Sequence, residues 1–477
     1  MPDHYDVAVI GCGAGGYQAA MTAAQCGARV VLIERGPLGG GCLNRACVPK
    51  KALTHIARVC ALVQGLLGRG LAGEIAPHVG SAIAWKDALV DDLQNGLPRR
   101  LRSLGIGLLL GEARLVSASQ IRVWGPLGAQ DIEARRIILA TGAAPRALAA
   151  CPVDSERIVY VDHLLDLLAR EPRRVLCVGG GLAGVEAAFL LRQWGCEVTL
   201  VTQDARLIER PSISPRVSQF LARRLEESGV RVLTHEVVVG TTVDQAGVTA
   251  IFGAGGEDRF DAVLVAVGRV PGADLVGCND VGIARDALGF VATRATLETN
   301  VPGIYAIGDM KGGPMTAAAA MHDGRIAAEN AVLDCGRRRN YHQVPLVVDS
   351  ILPVAAVGLS EELAEQAGFS PEVLYIPLSR SVKARALGDT QGFIEIVHDD
   401  ETGQMLGGGV VGAGADEFIH FLLAACRSRR GLWSFTDLDY GHPSWSEEVG
   451  AVLTPYLGEL TRSSQTLFRA GIYATAD

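Results

Sequence analysis

Two cysteines in Cys42-Leu-Asn-Arg-Ala-Cys47 follow the run Gly39-Gly-Gly41 and lie among the cations Arg45, Lys50 and Lys51. A cysteine pair in a chain with 11 cysteines is ordinarily structural. The glycines suit a helix start, however, where partial positive charge stabilises a thiolate, and the basic side chains add to it. A stabilised thiolate is the species that disulfide exchange requires. No second ligand pair has matching spacing, so zinc is not expected.

A second kind of chemistry is written in glycines. Gly11, Gly13 and Gly16 form G-x-G-x-x-G directly after the apolar run Tyr5–Ile10, and an alanine-rich segment follows. Such glycines allow the tight turn, let backbone approach a pyrophosphate, and let the helix pack against the strand. The helix start then offers free N–H groups to phosphate. Glu34 ends the returning strand, where a carboxylate accepts hydrogen bonds from ribose hydroxyls. Gly179, Gly181 and Gly184 repeat the pattern after Arg174–Val178. There the second strand ends at Thr202-Gln203-Asp204, with no carboxylate at the expected position and no adjacent arginine, so the ribose rule leaves NAD and NADP open. Glycine at 184 favours NAD.

The rest of the chain must position these motifs. Its 477 residues suggest about three domains. Hydrophobic residues make up 49% and charged residues 20%, which excludes an extended disordered protein. The 58 glycines show no collagen period. A net charge of −8 gives no general attraction for nucleic acid or an anionic membrane. Residues Val7 to Ala28 carry no charge and are long enough to span a bilayer, but the strand, turn and helix of the first motif account for them better. Eleven dispersed cysteines and an acidic N-terminus read as a reducing, cytoplasmic setting. Residues 50–110 read as mainly helical and 110–140 as short strands. Later strands end at Gly268-Arg269 and Gly308-Asp309, and a last block holds strands near 393 and 408 and a helix near 415–428.

The order of motifs resembles the flavoprotein pyridine nucleotide-disulfide oxidoreductases, and most of all their dihydrolipoamide dehydrogenase branch. The resemblance is carried by Gly15-Gly-Tyr17, the Cys42/Cys47 pair with Lys51, Ala140-Thr-Gly142, Gly184-Val-Glu186, Ala266-Val-Gly-Arg269, Thr299–Asp309 and His442-Pro-Ser-Trp-Ser-Glu447. It implies an α/β fold with two Rossmann-like dinucleotide-binding domains and a C-terminal α+β dimerisation domain. The expected boundaries are 1–148 for the first part of an FAD-binding domain, 149–271 for an NAD(P)-binding domain, 272–344 for the second FAD part, and 345–477 for the interface.

The resemblance also implies roles. Cys42 would exchange with substrate and Cys47 would face the flavin. Lys51 and Glu186 would pair near the flavin ring. Gly11, Gly13, Gly16, Glu34, Thr141, Gly142, Asp309, Met315 and Ala317 would line FAD, and Gly179, Gly181, Gly184, Glu186, Thr202 and Gly268 the nicotinamide nucleotide. His442, oriented by Glu447, would serve as acid/base from the other subunit of a homodimer. The implied substrate is a lipoyl-bearing protein or a small dithiol. A disulfide reductase for another thiol, for a lipoyl carrier outside the 2-oxoacid dehydrogenase complexes (for example in sulfur metabolism), and a redox-sensing flavoprotein are the alternatives. Gly41, Arg45, Ala46, Lys50, Thr316–Ala319 and Asp349–Pro353 depart from the family's usual residues.

Overall fold

The computed structural model describes residues 3–126, 128–272, 276–350, 352–436 and 438–453. Ile351 of the Asp349–Pro353 block and the tail Thr461 to Asp477, which offered no readable signal, lie outside them. Two compact units emerge: one takes the residues up to 205 together with 225–339, the other takes 206–224 together with the described residues from 340 onward.

In the first unit, strands Gly107–Leu110, Val30–Glu34, Asp3–Ile10 and Gly128–Leu139 lie parallel in that order. Ile304–Ala306 joins the far half of Gly128–Leu139 in parallel. The near half turns back through the antiparallel strands Gln120–Gly125 and Glu112–Leu115. Val7, Val9, Val30 and Leu32 enter the core on one face, and Ala8, Ile10, Val31 and Ile33 enter it on the other. Burial on both faces is why these strands read as unbroken apolar runs.

Helix Ala14–Gln25 buries Gly15, Gly16, Ala19, Ala20, Thr22 and Ala23. It packs on helix Ala317–Leu333 so closely that a Cβ on Gly324 would lie 2.3 Å from the Gly15 carbonyl oxygen. The uncharged stretch Val7 to Ala28 is therefore a strand, a turn and a helix inside a core. Among the described residues, no helix is long and apolar enough to cross a membrane.

A second sheet, all parallel, runs Arg231–Leu233, Glu197–Val201, Arg174–Val178, Ala262–Val265, Ile158–Tyr160. An antiparallel sheet of Val238–Asp244, Gly247–Phe252 and Glu257–Phe260 packs beside it. The chain passes between the two parallel sheets along Ala143–Pro145 and Arg269–Pro271, which pair with each other antiparallel.

The second unit is an antiparallel sheet in the order Leu346–Val348, Val354–Gly358, Met405–Val411, Phe393–Asp399, Pro371–Pro377. Helix Ala415–Arg427 covers it, burying Ile419 and Leu422. Residues 206–224 belong to this core: Phe220 meets Phe393 edge-on at 5.6 Å between ring centres. Buried Glu395 accepts hydrogen bonds from Ser214 Oγ at 2.7 Å and Arg216 Nη1 at 3.0 Å. In the Asp349–Pro353 block, Asp349 and Ser350 are buried.

Candidate functional site

The two glycine motifs fold into the same turn. Gly11 N–H donates to the Ile33 carbonyl and Gly179 N–H to that of Val201, each at 2.8 Å. Gly11 has φ +104° and Gly179 φ +118°, a region that favours glycine. A Cβ on Gly16 would lie 1.8 Å from the Gly11 carbonyl oxygen, and one on Gly184 would lie 1.9 Å from that of Gly179. No side chain is possible at these positions without moving backbone. Gly13 and Gly181 begin their helices in extended conformation with no side-chain cap.

The turns differ at the ribose position. Glu34 accepts the Cys12 N–H at 2.7 Å and the Gly36 N–H at 2.9 Å, so a carboxylate stands against the first turn. The equivalent Thr202 is buried, and its hydroxyl donates to Asp204 at 3.2 Å. The carboxylate of the second turn has thus moved two residues along.

The cysteine segment is tied directly to the first turn. Gly39 N–H donates to the Cys12 carbonyl at 2.9 Å, and a Cβ on Gly40 would lie 2.7 Å from Gly13 Cα. Cys42 lies within the short helix Gly40–Asn44, and Cys47 is the first residue of helix Cys47–Leu66. Asn44 Nδ2 donates to the carbonyls of Leu38 at 3.0 Å and Gly40 at 2.8 Å, while Gln94 donates to Asn44 Oδ1. Both cysteines are free thiols. The Cys42 thiol donates to Cys47 and Lys50 adds positive charge, so the Cys47 thiol is held below its ordinary range. The same bond and burial push Cys42 up.

Helix Leu182–Gln193 brings Glu186 to the cysteine helix, where Lys50 forms an ion pair with it, both side chains largely buried. The lysine bonded to Glu186 is thus one position before Lys51, which lies exposed. Arg45 is also exposed.

At the far end of the first sheet, Gly142 takes φ +72° and Thr141 Oγ1 lies 3.6 Å from Met310 Sδ. The Asp309 carboxyl is pushed up by burial and drawn back by Arg269. Met315 has φ +51°, and Thr316 Oγ1 caps helix Ala317–Leu333 by accepting the Ala319 N–H at 3.2 Å. Gly268 takes φ +104° beside the second turn. Gly15 faces the backbone of helix Ala317–Leu333, where a Cβ on Gly15 would lie 2.9 Å from the Ala320 carbonyl oxygen; nothing in the structure explains the small residues Thr316–Ala319.

In the second unit, His442 Nδ1 lies 2.9 Å from Glu447 Oε2, and Glu447 Oε1 accepts the Ser444 N–H at 2.9 Å. Those two bonds hold the Glu447 carboxyl below its ordinary range. The His442 ring is otherwise exposed. His420 lies on the exposed face of its helix, 3.2 Å from the Glu417 carbonyl.

Sequence reasoning missed the Asn44–Gln94 lock, the Lys311–Asp323 pair and the bond between Arg269 and Asp162. Arg269 directly follows Gly268 and Lys311 follows Asp309 by two, so a charge beside each motif glycine or carboxylate was the available signal. Among the described residues, no cluster of three or more His, Cys, Asp or Glu could hold a metal ion.

The first glycine turn fits a dinucleotide phosphate, the Glu34 carboxylate a ribose, and the thiol pair a two-electron exchange. Comparison with known proteins agrees. The sequence profile described as pyridine nucleotide-disulphide oxidoreductase matches residues 5–324, and that of the dimerisation domain matches 344–452. A dihydrolipoyl dehydrogenase of Thermus scotoductus is 36% identical over 454 residues, covering 93% of this chain and 95% of the relative. The HOCl-induced flavoprotein disulfide reductase RclA from Escherichia coli superposes with a TM-score of 0.81 at 26% identity, over 94% of this chain and 99% of that one. LpdA from Mycobacterium tuberculosis shares the fold, with a TM-score of 0.87 at 24% identity over 94% and 98%.

Proposed function

Because the chain belongs to the pyridine nucleotide-disulphide oxidoreductase family, using FAD and NAD, we propose that it is a dihydrolipoyl dehydrogenase or a close paralogue. It oxidises a dihydrolipoyl thiol pair through Cys42 and Cys47. The observation that carries the reading is the pair of free thiols in one short segment tied to the first glycine turn, beside the Lys50–Glu186 ion pair.

The chain's own residues divide the work. A substrate thiolate attacks Cys42 Sγ of the Cys42–Cys47 disulfide, the S–S bond breaks, and Cys47 leaves as the thiolate that its neighbours favour. The second substrate thiol, deprotonated, displaces Cys42, and the substrate departs as its cyclic disulfide. The substrate is oxidised by two electrons and the enzyme pair is reduced. His442, supplied by a second copy of the chain and oriented by Glu447, takes and returns the thiol protons. Gly11, Gly13, Gly16, Glu34, Thr141, Gly142, Asp309, Met315 and Ala317 would hold FAD, which when bound would supply two-electron chemistry linking the dithiol to NAD. Gly179, Gly181, Gly184, Thr202 and Gly268 hold the nicotinamide nucleotide, and the Lys50–Glu186 pair, with Lys51 adjacent, supplies charge at the thiols. The partner is a homodimer mate, and the setting is cytoplasmic, in keeping with eleven free thiols.

Exposed Arg45, beside the exposed Cys47, favours a second reading: a disulfide reductase for an acidic thiol partner, such as a lipoyl carrier outside the 2-oxoacid dehydrogenase complexes. Turnover with dihydrolipoamide, with the thiol/disulfide couples of glutathione and coenzyme A, and with lipoyl proteins, using NAD and NADP, separates the two. Cys42→Ser and Cys47→Ser are each expected to abolish dithiol turnover while FAD stays bound; normal turnover in either variant overturns the mechanism.

A further inference from the structure

Arg269 stands where the two dinucleotide-binding folds are joined. Its guanidinium makes a two-pronged bond to Asp162, with Nη1 at 2.8 Å from Oδ1 and Nη2 at 3.2 Å from Oδ2. It also donates to the Ala143 carbonyl from Nε at 3.2 Å and from Nη2 at 2.7 Å. Arg269 and Ala143 begin the two linking strands, which pair as Arg269↔Pro145 and Pro271↔Ala143. On its remaining side, Nε lies 4.0 Å from Asp309 Oδ2. One side chain therefore bonds the strand leaving the first fold and the turn after Ile158–Tyr160, and approaches the carboxylate assigned to the flavin.

We propose that Arg269 is a positioning residue for Asp309: it clamps the link between the folds and keeps that carboxylate ionised, so that FAD is retained by charge as well as by shape. The proposal rests on the reading that Asp309 accepts hydrogen bonds from FAD. Asp309 faces two cations, Arg269 and Lys311, and two carboxylates, Asp162 and Asp323. Asp162 is engaged by Arg269 itself. Asp323 is buried, lies 3.4 Å from Lys311 Nζ and accepts the Gly308 N–H at 3.2 Å. Arg269 thus approaches Asp309 and engages Asp162, while Lys311 engages Asp323. A protonated Asp309 would lose the charge-assisted part of any hydrogen bond it accepts.

The sign follows. Burial favours the neutral acid and Arg269 opposes it. Loss of the guanidinium raises the pH at which Asp309 takes up a proton, so FAD leaves at higher pH and returns as pH is raised. FAD release from the holoenzyme, followed by flavin fluorescence across the acid-to-neutral range, tests this. In Arg269→Gln the release midpoint is expected to move up by about one pH unit, a tenfold change in proton affinity. Arg269→Lys, which keeps the charge without the fork, is expected to release FAD near the native midpoint, and it serves if the glutamine variant fails to fold. The double variant Arg269→Gln with Asp309→Asn is expected to lose the pH dependence. An unshifted midpoint in Arg269→Gln, a release that raising pH does not reverse, or a lysine midpoint as high as the glutamine one overturns the proposal. If Asp309→Asn alone keeps the native profile and FAD content, the assignment of Asp309 to the flavin fails instead.

Discussion

Cys42 and Cys47 have the same side chain, and their neighbours make them different acids. Cys47 receives the hydrogen bond, begins a helix of 20 residues and lies near Lys50; Cys42 gives the bond and is raised by it. After reduction with a dithiol, Cys47 is therefore expected to alkylate with iodoacetamide at pH values below the ordinary thiol range of about 8.5. Cys42→Ser and Lys50→Ser should each shift that profile upward, read by mass spectrometry of the alkylated peptide; an unmoved profile in both means the assigned neighbours do not set the acidity. The thiols, their basic flanks and the motif glycines were legible in sequence because each is a local pattern with a local reason. The bond from Lys50 to Glu186 was not. Adjacent residues on a helix point about 100° apart, and that Lys50 meets Glu186 depends on how two distant helices pack. The fork of Arg269 on Asp162 spans the chain in the same way.

Between elements, the tightest constraint is the glycine contact between helices Ala14–Gln25 and Ala317–Leu333. The clash at Gly324 is with backbone, the Gly15 carbonyl oxygen at 2.3 Å, so no side-chain rotation relieves it. Gly324→Ala is expected to cost about 1–3 kcal/mol, the range for forcing an extra carbon into a packed core. It should also lower FAD content, since both helices start beside the first glycine turn. Thermal melting and the flavin-to-protein absorbance ratio measure the two effects, and a variant with native values for both shows that the helices can separate freely. Both strand–turn–helix units were readable because apolar runs, glycines and a small-residue helix occur in order. Strands Ile158–Tyr160 and Arg231–Leu233 were not, since three residues are too few to display an alternation. The close helix pair was equally hidden, since nothing local to Gly15 or Gly324 shows which backbone each faces.

For the whole molecule, the dimerisation profile over 344–452 and the exposed His442 ring bear on how many chains make one working site. If His442 acts on the thiols of a partner, Cys42→Ser and His442→Ala chains should each be nearly inactive alone. Random mixed dimers should recover roughly a quarter of native turnover, because half the dimers are mixed and one of their two sites is intact. Co-expression with two affinity tags allows assay of the purified mixed dimer, which should recover roughly half of native turnover, and no recovery places His442 with the cysteines of its own chain. The grouping of 206–224 with the C-terminal sheet has a consequence for order of synthesis. Ser214 and Arg216 leave the ribosome well before Glu395, the buried carboxylate they are to satisfy, so an early stretch of chain waits for a core not yet made. A fragment beginning at residue 340 would hold Glu395 without either donor. The last unit, contiguous on paper, is therefore no interchangeable cassette: its own completion depends on a piece of chain lodged between the strands of another fold.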